Sequence, residues 1–185
     1  MSAFHVFVAT SLDGFIARAD GRLDWLPGAS PDGLPAPEGE DYGFDAFMAD
    51  IDVVVMGRVT FETVQALEPW PYAGRRMVVL SRTLPEQAIP APRRADVTVH
   101  PGPLPALVDD LRAQGVRGVY VDGGQTVQAF LRAGLIDRLI ITRVPVLLGR
   151  GLPLFGDLPE DLWWDHLETR PFPSGLVQSH YRLRR

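Results

Sequence analysis

Val119-Tyr120-Val121-Asp122-Gly123-Gly124-Gln125-Thr126-Val127 runs an apolar, β-type segment into two adjacent glycines and then directly into a helical pattern. Glycines at the carboxyl end of a buried strand let the backbone approach a ligand with no Cβ in the way. A helix opening there aims unpaired N–H groups and partial positive charge into the same space. A tight strand-to-helix turn is the plainer reading. A second junction of the same kind stands at Val53-Val54-Val55-Met56-Gly57-Arg58-Val59-Thr60. Two such junctions suit a dinucleotide lying across strand ends.

Working outward, apolar runs and helical patterns alternate. Phe4–Ala9, Asp52–Met56, Met77–Leu80, Val97–Val99, Val119–Val121 and Leu139–Val144 read as strands. Helical spacing marks Phe44–Asp50, Thr60 to Leu67, Leu104–Gln114 closed by Gly115, and Val127–Ala133 closed by Gly134. Residues 27–43, rich in Pro, Gly and acidic side chains, read as a long loop, and 85–95 as a Pro-rich connector. Trp163–Thr169 and Leu176–Leu183 alternate like an antiparallel pair at a sheet edge. This order predicts one α/β domain over residues 1–185, with a mostly parallel sheet and a ligand crevice beyond the carboxyl ends of its strands.

Composition narrows the chemistry. The chain has 185 residues, a formal net charge of −5 and no cysteine, and all 18 basic residues are arginine. That excludes a Schiff-base lysine, a lysine-bearing phosphate loop, a thiolate nucleophile and cysteine-ligated zinc. The charge balance argues against general nucleic-acid binding. No apolar run is long enough to span a bilayer and no leader is evident, so a cytoplasmic protein is expected. His5, His100, His166 and His180 lack metal-ligand spacing and read as structural or exposed, with no metal expected.

Within the crevice, Thr60 is placed to cap its helix while Arg58 and the local amides face phosphate; an ordinary capped helix with one exposed arginine is the alternative. Ser81-Arg82-Thr83, after the third strand, suits a phosphate monoester such as the 2′-phosphate of NADPH, or is a polar turn. Ser11-Leu12-Asp13-Gly14-Phe15-Ile16-Ala17 is a simple Asp-Gly turn, or a flexible lid with Asp13 near substrate. Asp41, Asp45 and Asp122 are candidate proton relays or substrate acceptors. Trp25 and Trp163-Trp164 read as core or interface residues.

The ordered set of segments resembles the dihydrofolate reductase-like superfamily. It is most similar to the reductase domain of the bifunctional riboflavin-biosynthesis deaminase–reductase and its stand-alone relatives. The matching stretches are Ser11 to Ala17, Met56-Gly57-Arg58-Val59-Thr60-Phe61-Glu62, Val79-Leu80-Ser81-Arg82, Asp122-Gly123-Gly124, and Gly134-Leu135-Ile136-Asp137-Arg138-Leu139 running through Thr142-Arg143-Val144-Pro145 to Phe155. The resemblance implies a three-layer α/β domain: a mostly parallel central sheet with an antiparallel C-terminal edge, and helices on both faces. It implies NADPH held by Gly57, Arg58, Val59 and Thr60 at one helix start and by Gly123, Gly124, Gln125, Thr126 and Val127 at the other. Leu80, Ser81 and Arg82 would take the adenosine end, and Ala9 and Ile16 would border the nicotinamide. Asp13, Asp122, Asp41 and Thr142 are the implied catalytic candidates. Asp122 stands where riboflavin-type reductases usually carry Glu. The expected activity is hydride transfer to a small heterocycle or ribosylamino-pyrimidine, as in 5-amino-6-(5-phosphoribosylamino)uracil reduction, by a homodimer. A dihydrofolate or pterin reductase, and a non-catalytic nucleotide-binding or assembly module, are the alternatives.

Overall fold

A computed structural model describes residues 2–28, 34, 35, 37–65, 67 and 69–185. Parts of two expected segments, residues 29–33 and 36 of the long loop and residue 66 of the second helix, lie outside the described residues. In chain order the elements are β1 (Ala3–Ser11), β2 (Phe15–Ala17), α1 (Phe44–Ala49), β3 (Val53–Gly57), α2 (Arg58–Val64), β4 (Arg76–Leu80) and β5 (Val97–His100). They continue as α3 (Leu104–Ala113), β6 (Gly118–Asp122), α4 (Gly124–Arg132), β7 (Ile136–Val144), β8 (Leu152–Pro153), β9 (Trp164–Pro171) and β10 (Val177–Leu183). The Pro-rich connector holds two short 3₁₀ turns.

The main sheet has eight strands in the order β5-β4-β3-β6-β1-β7-β10-β9. The first six in that order run parallel, β10 is antiparallel to β7, and β9 closes the edge antiparallel to β10. The central strands are apolar on both faces because helices cover both faces. Val53, Val55, Val119 and Val121 pack with Leu107, Val108 and Leu111 of α3 and Val127, Phe130 and Leu131 of α4. The alternate residues Val54, Met56 and Tyr120 pack on the other side with Met48 of α1 and Phe61 and Val64 of α2. The result is the three-layer α/β arrangement. Because β1, β3, β4, β6 and β7 are parallel, their carboxyl ends share one rim.

Three local expectations are corrected. α2 opens at Arg58, two residues before Thr60, with extended Gly57 as its cap residue (φ −80°, ψ 165°) and no side-chain cap. Thr60 therefore sits inside the first turn and does not cap. α4 opens at Gly124, three residues before Val127. The segment after β1 is not a free lid: β2 pairs with β8, Leu154 N donates to Gly14 O at 3.1 Å, and Leu12 N donates to Val146 O at 2.8 Å.

Candidate functional site

The two strand-to-helix junctions sit side by side because β3 and β6 are neighbours, with Met56 opposite Asp122. A Cβ on Gly57 would come within 3.2 Å of Thr126 Oγ1, and a Cβ on Gly123 would overlap the Thr60 hydroxyl. Gly123 also has φ 88° and ψ 137°, a backbone that side-chain-bearing residues avoid. A Cβ on Gly124 would stand 2.7 Å from Ile16 Cδ1, so the β2–β8 ribbon leans on the start of α4. Gly57, Thr60, Gly123, Gly124, Thr126 and Ile16, read from three separate motifs, are thus in one place. Neither α2 nor α4 has a side-chain cap. In α4 the amides of Gly124, Gln125 and Thr126 precede the first ladder bond, Val127 N to Gly123 O at 2.8 Å. Such first-turn N–H groups suit an anion.

The other expected cofactor residues divide. The Val127 side chain is buried in the core and its N–H is bonded to Gly123 O. Val59 and Gln125 are exposed at the rim, and Leu80 is half-buried at the end of β4. Arg58 is paired with Glu62 one helical turn on, at 2.9 Å. Both side chains are nearly half exposed, so the pair is weak and exchangeable. Ser81 Oγ accepts from Thr83 N at 3.2 Å and Leu84 N at 2.9 Å, which leaves its proton free to donate. Arg82 is exposed beside it.

Asp122 ends β6 on the same face as Tyr120. Its Oδ1 accepts from Gly123 N at 2.8 Å and its Oδ2 from the Tyr72 hydroxyl at 2.8 Å. As a residue Asp122 keeps some accessible surface, but protein surrounds its carboxyl group. Burial pushes the carboxyl above its ordinary range, outweighing the bonds from Tyr72 and Gly123 that pull it down. Burial, and then the Asp122 charge, hold the Tyr72 and Tyr120 phenols protonated far above their usual range. The Tyr120 hydroxyl donates to Phe7 O at 2.8 Å. Tyr72 was not anticipated. It lies in an irregular segment 50 residues from its partner, with no local pattern to mark it.

Thr142 neighbours Ala9 in the β1–β7 register and Gln178 in the β7–β10 register. Its Oγ1 accepts from Gln178 Nε2 at 2.9 Å, and among the described residues no acid hydrogen-bonds to it. Gln178 Nε2 also reaches Tyr42 O at 3.0 Å, and Gln178 Oε1 meets His180 Nε2 at 2.9 Å. His180 is therefore one link of a polar chain, and burial lowers its pKa. The alternation of β10 could have shown that Gln178 and His180 share a face.

Asp41 and Asp13 are both held by backbone amides. The Asp41 carboxylate accepts from Gly43 N at 2.9 Å and Asp45 N at 3.2 Å at the start of α1, and those amides lower its pKa. Asp45 is exposed. Asp13 accepts from Ser11 Oγ at 2.6 Å, Gly149 N at 2.8 Å and Leu148 N at 3.1 Å. The Ser11 bond, followed by those amides, keeps it ionised, so Asp13 ties the β1–β2 turn to the segment before β8. Trp25 is buried with Val144 and Leu176. The open depressions lined by Glu160–Trp163 with Leu183–Arg185, and by Glu86–Ile89 with Val97–Val99, lie away from this rim.

Sequence comparison finds that the RibD C-terminal domain profile matches residues 4–178. The chain belongs to the RibD C-terminal domain family. It is 32% identical over 178 residues to the uncharacterized protein YwjB of Bacillus subtilis, covering 95% of each chain. A candidate riboflavin biosynthesis protein of Shewanella sp. PV-4 has a crystal structure that superposes with a TM-score of 0.88, at 41% identity and 99% coverage of both chains. Acinetobacter baumannii RibD shares the fold, with a TM-score of 0.74 at 23% identity; all of this chain aligns with 59% of that one. As a member of the RibD C-terminal domain family, the chain is a reductase-like domain.

Proposed function

We propose that the protein is an NADPH-dependent reductase that transfers hydride to a small heterocyclic or ribosylamino-pyrimidine substrate of the riboflavin-pathway type. The convergence of Gly57 and Thr60 with Gly123, Gly124 and Thr126, against Ile16, carries this reading. The fit is in the donor set: uncapped first-turn amides at two adjoining helix starts, with Arg58, Ser81 and Arg82 on the same rim. Gly57 to Thr60 and Gly123 to Thr126 would hold the diphosphate, Leu80, Ser81 and Arg82 the adenosine 2′-phosphate end, and Ala9 and Ile16 the nicotinamide border. The bound cofactor supplies the hydride.

The chain's own residues do the rest. Ala9, with only a methyl group, stands beside Thr142 on the neighbouring strand and would border the substrate. Asp122 is the acid retained for proton handling, since burial raises its pKa above the ordinary carboxylate range. The dihydrofolate reductase alternative needs an acid beside Thr142; Asp41 binds the Gly43 amide instead, and Gln178 bonds to Thr142.

Titration of the protein with NADPH and NADH, followed by quenching of tryptophan fluorescence, tests the proposal. NADPH is expected to bind well below millimolar concentration and more tightly than NADH; binding of neither refutes it. Arg82→Ala is expected to weaken NADPH roughly tenfold or more while leaving NADH unchanged, because a charge-assisted contact to phosphate is worth about 1.5–3 kcal/mol. Equal discrimination in both proteins would remove Arg82 from the site.

The proposal includes a cytoplasmic homodimer. Leu147 and Phe155, which follow β7 and β8, are 70% and 47% exposed, and Trp163 at the start of β9 is 66% exposed, a surplus of apolar surface. Sedimentation equilibrium should return twice the chain mass, and a monomer at micromolar concentration would contradict it.

A further inference from the structure

The polar chain beneath Thr142 determines the direction of its hydrogen bonds. Thr142 and Gln178 are each only 3% exposed. Gln178 Nε2 stands 3.0 Å from Tyr42 O and 2.9 Å from Thr142 Oγ1. A backbone carbonyl only accepts, so the atom facing Tyr42 O is the amide NH₂, and both its hydrogens are committed. With the amide so oriented, Gln178 Oε1 accepts from His180 Nε2 at 2.9 Å, which places a proton on that ring nitrogen. The Tyr42 carbonyl is held by an unusual backbone: Tyr42, at φ 55°, is the one non-glycine residue with positive φ among the described residues. Its ring packs on Phe172 at 4.9 Å, and its hydroxyl donates to Ser174 Oγ at 3.3 Å. Thr142 Oγ1 therefore receives a hydrogen from Gln178. Among the described residues its own proton has no acceptor.

We propose that Gln178 sets the polarity of the substrate pocket: it commits Thr142 to donating, so the bound heterocycle presents an oxo oxygen, not an amino group, to the Thr142 hydroxyl. This deepens the reductase reading and rests on it for the placing of substrate over Ala9. An oxo oxygen satisfies the buried hydroxyl proton. An amino group in the same place sets hydrogen against hydrogen and leaves both donors unpaired. Gln178 is a positioning residue in this scheme, and Thr142 is the group that touches substrate.

The test uses two ring-matched probes, pteridine-2,4-dione and 2,4-diaminopteridine, titrated at neutral pH into the whole protein with and without NADPH. The dione is expected to bind at least tenfold more tightly. Thr142→Val should bring that preference below threefold, and Thr142→Ser should retain it. Gln178→Met, which frees Thr142 Oγ1 to accept, should raise the affinity for the diamine. A preference near one or reversed in the wild-type protein would overturn the proposal, as would no binding of either probe at millimolar concentration or an unchanged preference in Thr142→Val. Normal NADPH binding without dione preference would sink this proposal alone. Dione preference without NADPH binding would sink the reductase reading and leave this one standing.

Discussion

Gly123→Ala is expected to destabilise the protein by about 3 kcal/mol or more, from backbone strain of about 1–3 kcal/mol and overpacking of similar size. It should also abolish NADPH binding at submillimolar concentration. Both effects have separate causes at one atom. At φ 88° and ψ 137° an alanine is strained wherever its methyl points. The methyl would in addition overlap the Thr60 hydroxyl, which belongs to the first turn of α2 and cannot retreat without moving that helix start. With a urea m-value of roughly 1–3 kcal/mol/M, the unfolding midpoint should fall by about 1 M or more. Adding Thr60→Ala removes the steric part and keeps the torsional part, so the double variant should recover roughly half of the loss. Full recovery would assign the whole effect to the clash, and no recovery would assign it to the torsion. A Gly123→Ala protein as stable as wild type would show that the two junctions do not meet as described.

That junction was legible in the sequence because its signals are local: an apolar run, adjacent glycines and a helical pattern within nine residues. The same holds for the parallel strands and for the helix stops, where Gly115 and Gly134 take φ 71° and 63° after α3 and α4. What escaped depends on partners far along the chain. The β2–β8 ribbon pairs Phe15–Ala17 with only two residues, Leu152–Pro153, and strands so short carry no periodicity. Asp13 follows from it, since its anchoring amides are 135 and 136 residues away. Thr60 was misjudged because an extended glycine can begin a helix with no side-chain cap, leaving the threonine free to pack across at Gly123. The bonds of Asp41 are by contrast local, to the amides two and four residues on at the start of α1.

Tyr72→Phe should expose the state of Asp122 through the pH dependence of stability. Phenylalanine keeps the ring that packs edge-on to Trp70 at 5.1 Å, and removes only the hydroxyl that donates to Asp122 Oδ2. A hydrogen bond to a charged group contributes about 1.5–3 kcal/mol, so the variant should lose about that much wherever Asp122 is ionised. The sign follows from linkage. Asp122 has its folded pKa raised above the unfolded value of 3.8, so its contribution to stability is fully present below that value and is lost as pH rises through the folded pKa. Removing the Tyr72 bond, which favours the ionised form, raises the folded pKa further. The stability difference between wild type and variant should therefore be small near the unfolded pKa and widen as pH rises past the folded one. Urea unfolding at steps from pH 4 to pH 8 measures this. If Asp122 also handles the proton in reduction, the limb of the pH–rate profile that reports it moves upward in the variant by the same shift. A stability loss equal at every pH would mean that Tyr72 only fills space, and that the buried carboxyl does not titrate in this range.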